Sequence, residues 1–256
     1  MNLKNEFWAF IPARKGSKTI RNKNILKINK VPLIGYSLKT AKKSKLIKKT
    51  IFSSDSSKYF KIAKKFGYDI PHLRDKKTSN DKANDLVVFV DFIKKFYKKN
   101  NYLPKFFVHF RPTTPIRNLT TIDKAIKLMK KNHKNFSSLR SVRLMPEPAF
   151  KCLRIVDKKL CSIFKKDFSL DKVNKSRHKY EKTYDADGII DIYKTEVMLK
   201  KTLLGNKVLP FVTQDTYSNI DTLEQLKSVR SILKKSRKRS WLVSRYYVLT
   251  INAIIY

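Results

Sequence analysis

Between Phe10 and Asn24 the chain reads F-I-P-A-R-K-G-S-K-T-I-R-N-K-N, an apolar run that breaks into Arg14, Lys15, Gly16, Ser17, Lys18, Arg21 and Lys23. Those residue types suit one task, the holding of a polyanion. Small residues let backbone N–H groups approach phosphate oxygens, and the cations neutralise them. A loop of this kind acts where a strand ends, because ligands of open α/β sheets bind beyond the carboxyl ends of the strands. The pattern predicts a first β-strand that delivers a phosphate loop, with a solvated basic turn as the plain alternative in a chain this rich in Lys.

Four further segments could do chemistry. Ser53-Ser54-Asp55-Ser56 follows an apolar run, and Asp55 or Ser56 could cap the next helix. In Arg111-Pro112-Thr113-Thr114-Pro115-Ile116-Arg117 two prolines stiffen a turn that presents hydroxyls and two guanidinium groups. Ala186-Asp187-Gly188 precedes a strand-like run, and Ser218-Asn219-Ile220-Asp221-Thr222 precedes a helical one. Taken singly, each is explained as a cap or a turn. His72, His109, His133 and His178 share no spacing that suggests a metal site or proton relay, and three of them read as ordinary surface or strand residues. Cys152 and Cys161 have no metal-type spacing and read as free thiols of a cytoplasmic protein.

These segments need a scaffold, and two apolar periods alternate along the chain to supply it. Strand-like runs occur at Trp8–Ala13, Thr50–Ser53, Phe106–Phe110, Ser138–Val142, Gly188–Tyr193 and Val208–Val212. Helical spacing lies between them, at Tyr59 to Phe66, Leu86 to Phe96, Ile122 to Met129 and Leu223 to Val229. Alternation of this kind predicts βαβ units and a mostly parallel sheet flanked by helices, an α/β protein. The stretch from about Pro146 to Tyr184 breaks the rhythm and reads as an inserted β-rich arm. After Leu233 a basic cluster precedes the run Trp241 to Tyr256, which could lie on a membrane surface or, as the favoured readings, pack on a partner or be an unselected extension.

At 256 residues and 41% apolar the chain can bury the core of one domain. No stretch approaches the length of a membrane-spanning helix, and the polar N-terminus is unlike a signal peptide. The formal charge of +39 invites a nucleic-acid reading, yet only 13 of the 59 basic residues are Arg and the lysines are scattered. Nucleic-acid and phosphate clamps favour clustered, bidentate Arg, so the charge predicts steering of anionic substrates and no specific nucleic-acid partner.

Taken in order, the motifs resemble those of the CMP-sugar-acid synthetases, in particular the acylneuraminate cytidylyltransferases. Members look like I-P-A-R-G-G-S-K-G-x-x-x-K-N at the first loop, S-T-D after the second strand, Q-P-T-S-P-L-R after the central strand, N-G before a late strand and D-I-D-T near the end. Here the corresponding residues run from Ile11 to Asn24, then Ser53 to Asp55, Arg111 to Arg117, Asp187-Gly188 and Asn219 to Thr222. The likeness extends from about Phe7 to Leu233. It implies a Rossmann-like nucleotidyltransferase fold over 1–235, with the tail 236–256 outside it, a homodimer, and a dimerisation arm at about 146–184.

The resemblance also implies the reaction of CTP with a nine-carbon sugar acid to give the CMP-sugar and pyrophosphate, with magnesium. By motif position Arg14, Gly16, Ser17, Lys18 and Lys23 would bind the triphosphate, Asn24 the cytidine, and Arg74 the nucleotide. Arg14, Lys23 and Asp221 would carry catalysis. Arg111, Thr113, Thr114 and Asp187 would face the sugar, and Arg177 would reach a neighbouring subunit's site. Asp221, with Asn219, would hold the metal.

Departures from the family pattern sharpen these expectations. Lys15 and Thr19 replace glycines and would strain the loop by ~1–2 kcal/mol if either needed a left-handed backbone. Arg111 replaces a Gln and could pair with the substrate carboxylate. Asp187 replaces an Asn, and Asn219 replaces the first of two metal-site acids. Three readings follow: an active synthetase, a catalytically weakened homologue that still binds nucleotide, and, on charge alone, a polyanion-binding protein.

Overall fold

The alternating periods resolve into a seven-stranded sheet with helices on both faces. The computed structural model describes residues 1–17, 19–80, 83–164, 170–215 and 218–235. The first half runs β1 (Leu3–Pro12), β2 (Lys27–Ile28), β3 (Val31–Pro32), α1 (Leu33–Lys43), β4 (Ile47–Ser54), α2 (Ser57–Lys64) and β5 (Ile70–Leu73). It continues with α3 (Lys76–Ser79), α4 (Asp85–Asn100), β6 (Leu103–His109), α5 (Leu119–Asn132) and β7 (Ser138–Leu144). Then come the hairpin β8 (Leu153–Val156) and β9 (Lys159–Ser162), α6 (Leu170–Val173), β10 (Tyr184–Lys194), α7 (Thr195–Leu199) and β11 (Val208–Val212). A helix over 223–235, α8, follows.

The sheet order is β11-β7-β10-β6-β1-β4-β5. Every pairing in it is parallel except the two made by β10, which runs antiparallel to both β6 and β7. Thus β1 is an interior strand between β6 and β4, and Phe7 to Ile11 are buried without interruption, as expected of a parallel strand covered on both faces. On one face Ile34 and Leu38 of α1, Tyr59 of α2, and Ile122 and Met129 of α5 close over Ala9, Ile11, Phe52 and Val108. On the other, Phe89 and Phe92 of α4 meet Trp8, Phe10 and Phe107, with the Phe10 and Phe89 rings stacked 4.1 Å apart. Each such side chain contributes ~1.5–3 kcal/mol on burial, so this double layer fixes the strand ends that carry the motifs. Gly35 of α1 is required by close approach, since a Cβ there would meet the Phe66 ring at 2.9 Å.

The expected strand and helix runs fall on β1, β4, β6, β7, β10, β11, α2, α4, α5 and α8. Outside that reading lay α1, α7 and the four-residue edge strand β5. Between β7 and β10 lies the β8–β9 hairpin, which among the described residues pairs only with itself. Asp157 and Lys158 turn that hairpin with φ of 48° and 62°, the left-handed values a two-residue connection demands. Among the described residues no helix is long and apolar enough to cross a membrane. The tail Trp241 to Tyr256 lies outside the described residues.

Candidate active site

Each parallel strand ends at the same edge of the sheet, and the basic loop that begins at Ala13 leaves β1 there. Its course is pinned from neighbouring elements: Ala13 N–H donates to Ser53 O at 2.8 Å, Ser54 Oγ to Ala13 O at 2.7 Å, and Lys15 N–H to the Asp55 carboxylate at 2.8 Å. Asp55 therefore braces the loop from across the sheet. Ser56 is the N-cap of α2, though neither it nor Asp55 makes a side-chain cap bond there. Lys15 has no left-handed backbone, and Asn22 takes the positive φ of 55° that Asn tolerates. A Cβ built on Gly16 would meet nothing within 4 Å, so that residue borders open space.

That space is a cleft of about 350 Å³ lined by Arg14, Gly16, Ser17, Thr19, Lys23, Asn24, Arg74, Asp85, Arg111 and Thr113, with Pro12, Ala83 and Pro112. Four cations thus converge on one cavity with a single carboxylate, Asp85, which fits a polyanion of several charges. Asn24 is buried and donates to Arg14 O at 2.9 Å, so its amide shapes the loop. Arg74 is anchored by donating Nε to Thr78 O at 3.0 Å.

The Arg111–Arg117 turn is held from beneath. Arg117 donates to the carbonyls of Ile189 at 2.7 Å and Arg111 at 2.8 Å, to Gly188 O at 3.4 Å, and to Thr114 O. Burial, reinforced by the Arg111 charge, pushes this guanidinium down to about 9. Arg111 lines the cleft but does not stand alone: Nη1 donates to Asp191 at 2.7 Å, and Nη2 reaches Asp85 at 3.4 Å. Asp191, 2% exposed, also accepts from Arg140 Nε at 3.1 Å, from Arg140 Nη2 at 3.3 Å and from Tyr193 Oη at 2.9 Å. Burial would raise the Asp191 carboxyl, but Arg111 and Arg140 outweigh it and hold the group low. Burial and the Arg111 charge push His109 down to about 4, so its ring is neutral, with Nε2 unpartnered.

Lys23 links the cleft to the last motif, donating to Ile220 O at 2.8 Å and to Asp221 at 2.9 Å. Asn219 Nδ2 donates to the other Asp221 oxygen. Asn219 is no helix cap, because Thr222 and Gln225 fill that role reciprocally: Gln225 N–H donates to Thr222 Oγ1 at 3.2 Å and Thr222 N–H to Gln225 Oε1 at 3.0 Å. Both oxygens of Asp221 have donors, and among the described residues no three His, Cys, Asp or Glu gather as metal ligands. As arranged, Asn219 and Asp221 do not fit a preformed magnesium site, which would offer free carboxylate oxygens to the ion.

Like Asn219 and Asp221, three more expected residues lie outside the cleft lining, and Lys18 falls outside the described residues. Thr114 is fully buried, its hydroxyl facing Gly188. Asp187 turns inward, accepting from Ser141 and Thr213 hydroxyls and from Ile189 N–H at 2.9 Å, which removes it from any sugar contact. Arg177 sits on the arm beside a second cavity of about 440 Å³, lined mainly by apolar groups such as Leu144, Met145 and Pro148. Conversely, Asp85, Arg140 and Asp191 carried no local motif. Asp191 sits within the apolar run Gly188–Tyr193, where a buried carboxylate demands a cationic partner.

Comparison with known proteins bears on this site. A family model described as Cytidylyltransferase matches residues 8–238. "Post-translational flagellin modification protein B" of Campylobacter coli is 28% identical over 236 residues, 90% of this chain and 96% of that one. The N-acylneuraminate cytidylyltransferase of Escherichia coli O18:K1:H7 is 28% identical over 250 residues, which cover 95% of this chain and 55% of that protein. This chain therefore spans about half of that second relative. A solved CMP:2-keto-3-deoxy-manno-octonic acid synthetase complexed with CTP shares the fold, with a TM-score of 0.65 at 15% identity over 90% of this chain and 99% of that one.

Proposed function

Because the chain belongs to the cytidylyltransferase family, we propose that its cleft activates a nine-carbon sugar acid, joining it to CMP from CTP with release of pyrophosphate. The observation that carries this reading is the convergence of Arg14, Lys23, Arg74 and Arg111 on one cavity at the carboxyl edge of the sheet. The sugar's anomeric hydroxyl attacks the α-phosphorus while pyrophosphate leaves in line, so the protein's share is positioning and charge neutralisation. Arg14, Lys23 and the backbone around Gly16 and Ser17 take the triphosphate. Asn24 and Arg74 border the nucleoside, and Arg111 with Thr113 borders the sugar. Magnesium enters this reading as a companion of the triphosphate oxygens, with no step assigned to a protein-held ion.

Assembly as a homodimer in the cytoplasm, where CTP is made, completes the proposal, with 1–235 as the catalytic unit. Apolar side chains exposed on the arm, Ile155 at 75% and Leu160 at 55%, support pairing of two copies there. A second reading, a weakened homologue that binds CTP without turnover, is favoured by the occupied Asp221 carboxylate. A pyrophosphate-release screen of four nucleotides against N-acetylneuraminic, legionaminic and pseudaminic acids with magnesium tests both. Release with CTP and a sugar acid is expected. CTP binding with no release from any pair favours the weakened homologue, and salt-sensitive DNA binding with no nucleotide preference would overturn both.

A further inference from the structure

One wall of the cleft depends on a strand with little of its own to hold it. β5 has four residues, lies at the edge of the sheet and, among the described residues, pairs only with β4. Pro71 has no N–H to give that ladder, and both Pro71 and Leu73 face solvent. Yet Arg74, the residue that follows β5, lines the cleft. The side chain that anchors the strand is His72, the buried one of the four at 4% exposure.

Both ring nitrogens of His72 bond to elements other than its own. Nδ1 lies 2.9 Å from Ser53 Oγ of β4, and Nε2 lies 2.9 Å from Asp91 Oδ2 of α4. Phe10 of β1 and Phe92 of α4 flank the ring, with centroids 6.1 and 5.4 Å away. Burial, helped by the charges of Lys95 and Arg74, outweighs Asp91 and holds the imidazole below its usual range, so the ring is neutral. A carboxylate can only accept, so Nε2 carries the single proton and Nδ1 accepts from the Ser53 hydroxyl. Asp91 is itself held by Lys95 Nζ at 2.9 Å, and the same ammonium donates to Asp75, next to Arg74, at 2.8 Å. The end of β4 then joins this peg to the basic loop. Ser53 O accepts from Ala13 N–H, Ser54 O accepts from Arg74 N–H at 2.9 Å, and Ser54 Oγ donates to Ala13 O.

We infer that His72 is a positioning residue for nucleotide binding: by tying β5 to Ser53 and Asp91, it sets where the Arg74 guanidinium stands in the cleft. The inference rests on the synthetase reading, in which Arg74 borders the nucleoside. It gives a task to a histidine whose place in the sequence suggested none.

The test measures CTP binding to the full-length protein by calorimetry, beside circular dichroism to check that each variant is folded. His72→Phe keeps a ring between Phe10 and Phe92 but removes both bonds, and should weaken CTP about tenfold, the worth of one or two hydrogen bonds. His72→Gln, whose amide offers one donor and one acceptor in place of the ring nitrogens, should recover most of that loss. In an Arg74→Ala background the same His72→Phe change should weaken CTP by less than a further twofold, because the histidine acts through that arginine. Unchanged CTP binding in folded His72→Phe, or losses that multiply in full in the double variant, would overturn the assignment while the nucleotide reading stands. Should His72→Phe fail to fold, Ser53→Ala takes its place, since it removes one bond to the ring and keeps every main-chain bond of β4. CTP at least twofold weaker is then expected, and an unchanged affinity would overturn the assignment. Wild-type protein that binds no CTP would instead defeat the synthetase reading, and the role of His72 with it.

Discussion

The cleft edge of the sheet and the arm that leaves it come from the same Lys-rich chain, yet they are held together in opposite ways. At the cleft, charged groups are buried and paired: Asp191 is 2% exposed beneath two arginines, and Arg117 is spent on main-chain carbonyls. On the arm, apolar groups stand in solvent, Ile155 at 75% and Leu160 at 55%, and the β8–β9 hairpin pairs with no other strand. An isolated two-stranded hairpin is marginal in water. The lesson is that the sheet brings together the partners of the cleft's buried charges, whereas among the described residues the arm presents apolar side chains to solvent.

The contrast can be broken most forcefully at Arg117. Arg117→Met keeps most of the volume but strips donors from several buried carbonyls, and should lower unfolding free energy by about 3 kcal/mol in urea titration. An unchanged midpoint would mean that Pro112 and Pro115 hold the turn by themselves.

Arg14→Ala should act on function instead, with a loss of at least ~2 kcal/mol of transition-state stabilisation in kcat/KM for CTP and an unaltered melting temperature. Normal CTP kinetics in that variant would remove the phosphate loop from the mechanism.

On the arm the double substitution Ile155→Lys with Leu160→Lys should convert a dimer to monomers in sedimentation equilibrium. Stability of the sheet should shift by less than ~0.5 kcal/mol, since these side chains touch no core. A wild-type protein that sediments as a monomer at all concentrations would end the comparison in its present form.

The smallest effect belongs to Asn219. Replacing it with Asp puts a second carboxylate beside Asp221, and should lower the magnesium concentration for half-maximal activity while leaving the CTP preference intact. An identical magnesium titration would show that Lys23 and the triphosphate meet the charge requirement without this position.

Much of this protein was legible in its sequence, because the relevant signals are local. The apolar run from Phe7 to Ile11 announces the first strand, and the helical stripes of α4 and α5 announce core-facing helices. The order of small and cationic residues from Arg14 to Asn24 announces the basic loop that lines the cleft. Other features depend on residues far apart in the chain, and no periodicity encodes them. Arg111 and Asp191 are 80 residues apart, Arg140 and Asp191 51, and Lys23 and Asp221 198. Asp187 reads like a surface turn residue until β7 and the end of β11 bring Ser141 and Thr213 against it. Insertion of the antiparallel β10 between β6 and β7 sets these meetings. Short-range preference chooses the elements and the basic loop, but which buried charge meets which partner is decided only when the strand order is fixed, since the cost of an unpaired buried ion is felt only in the assembled sheet.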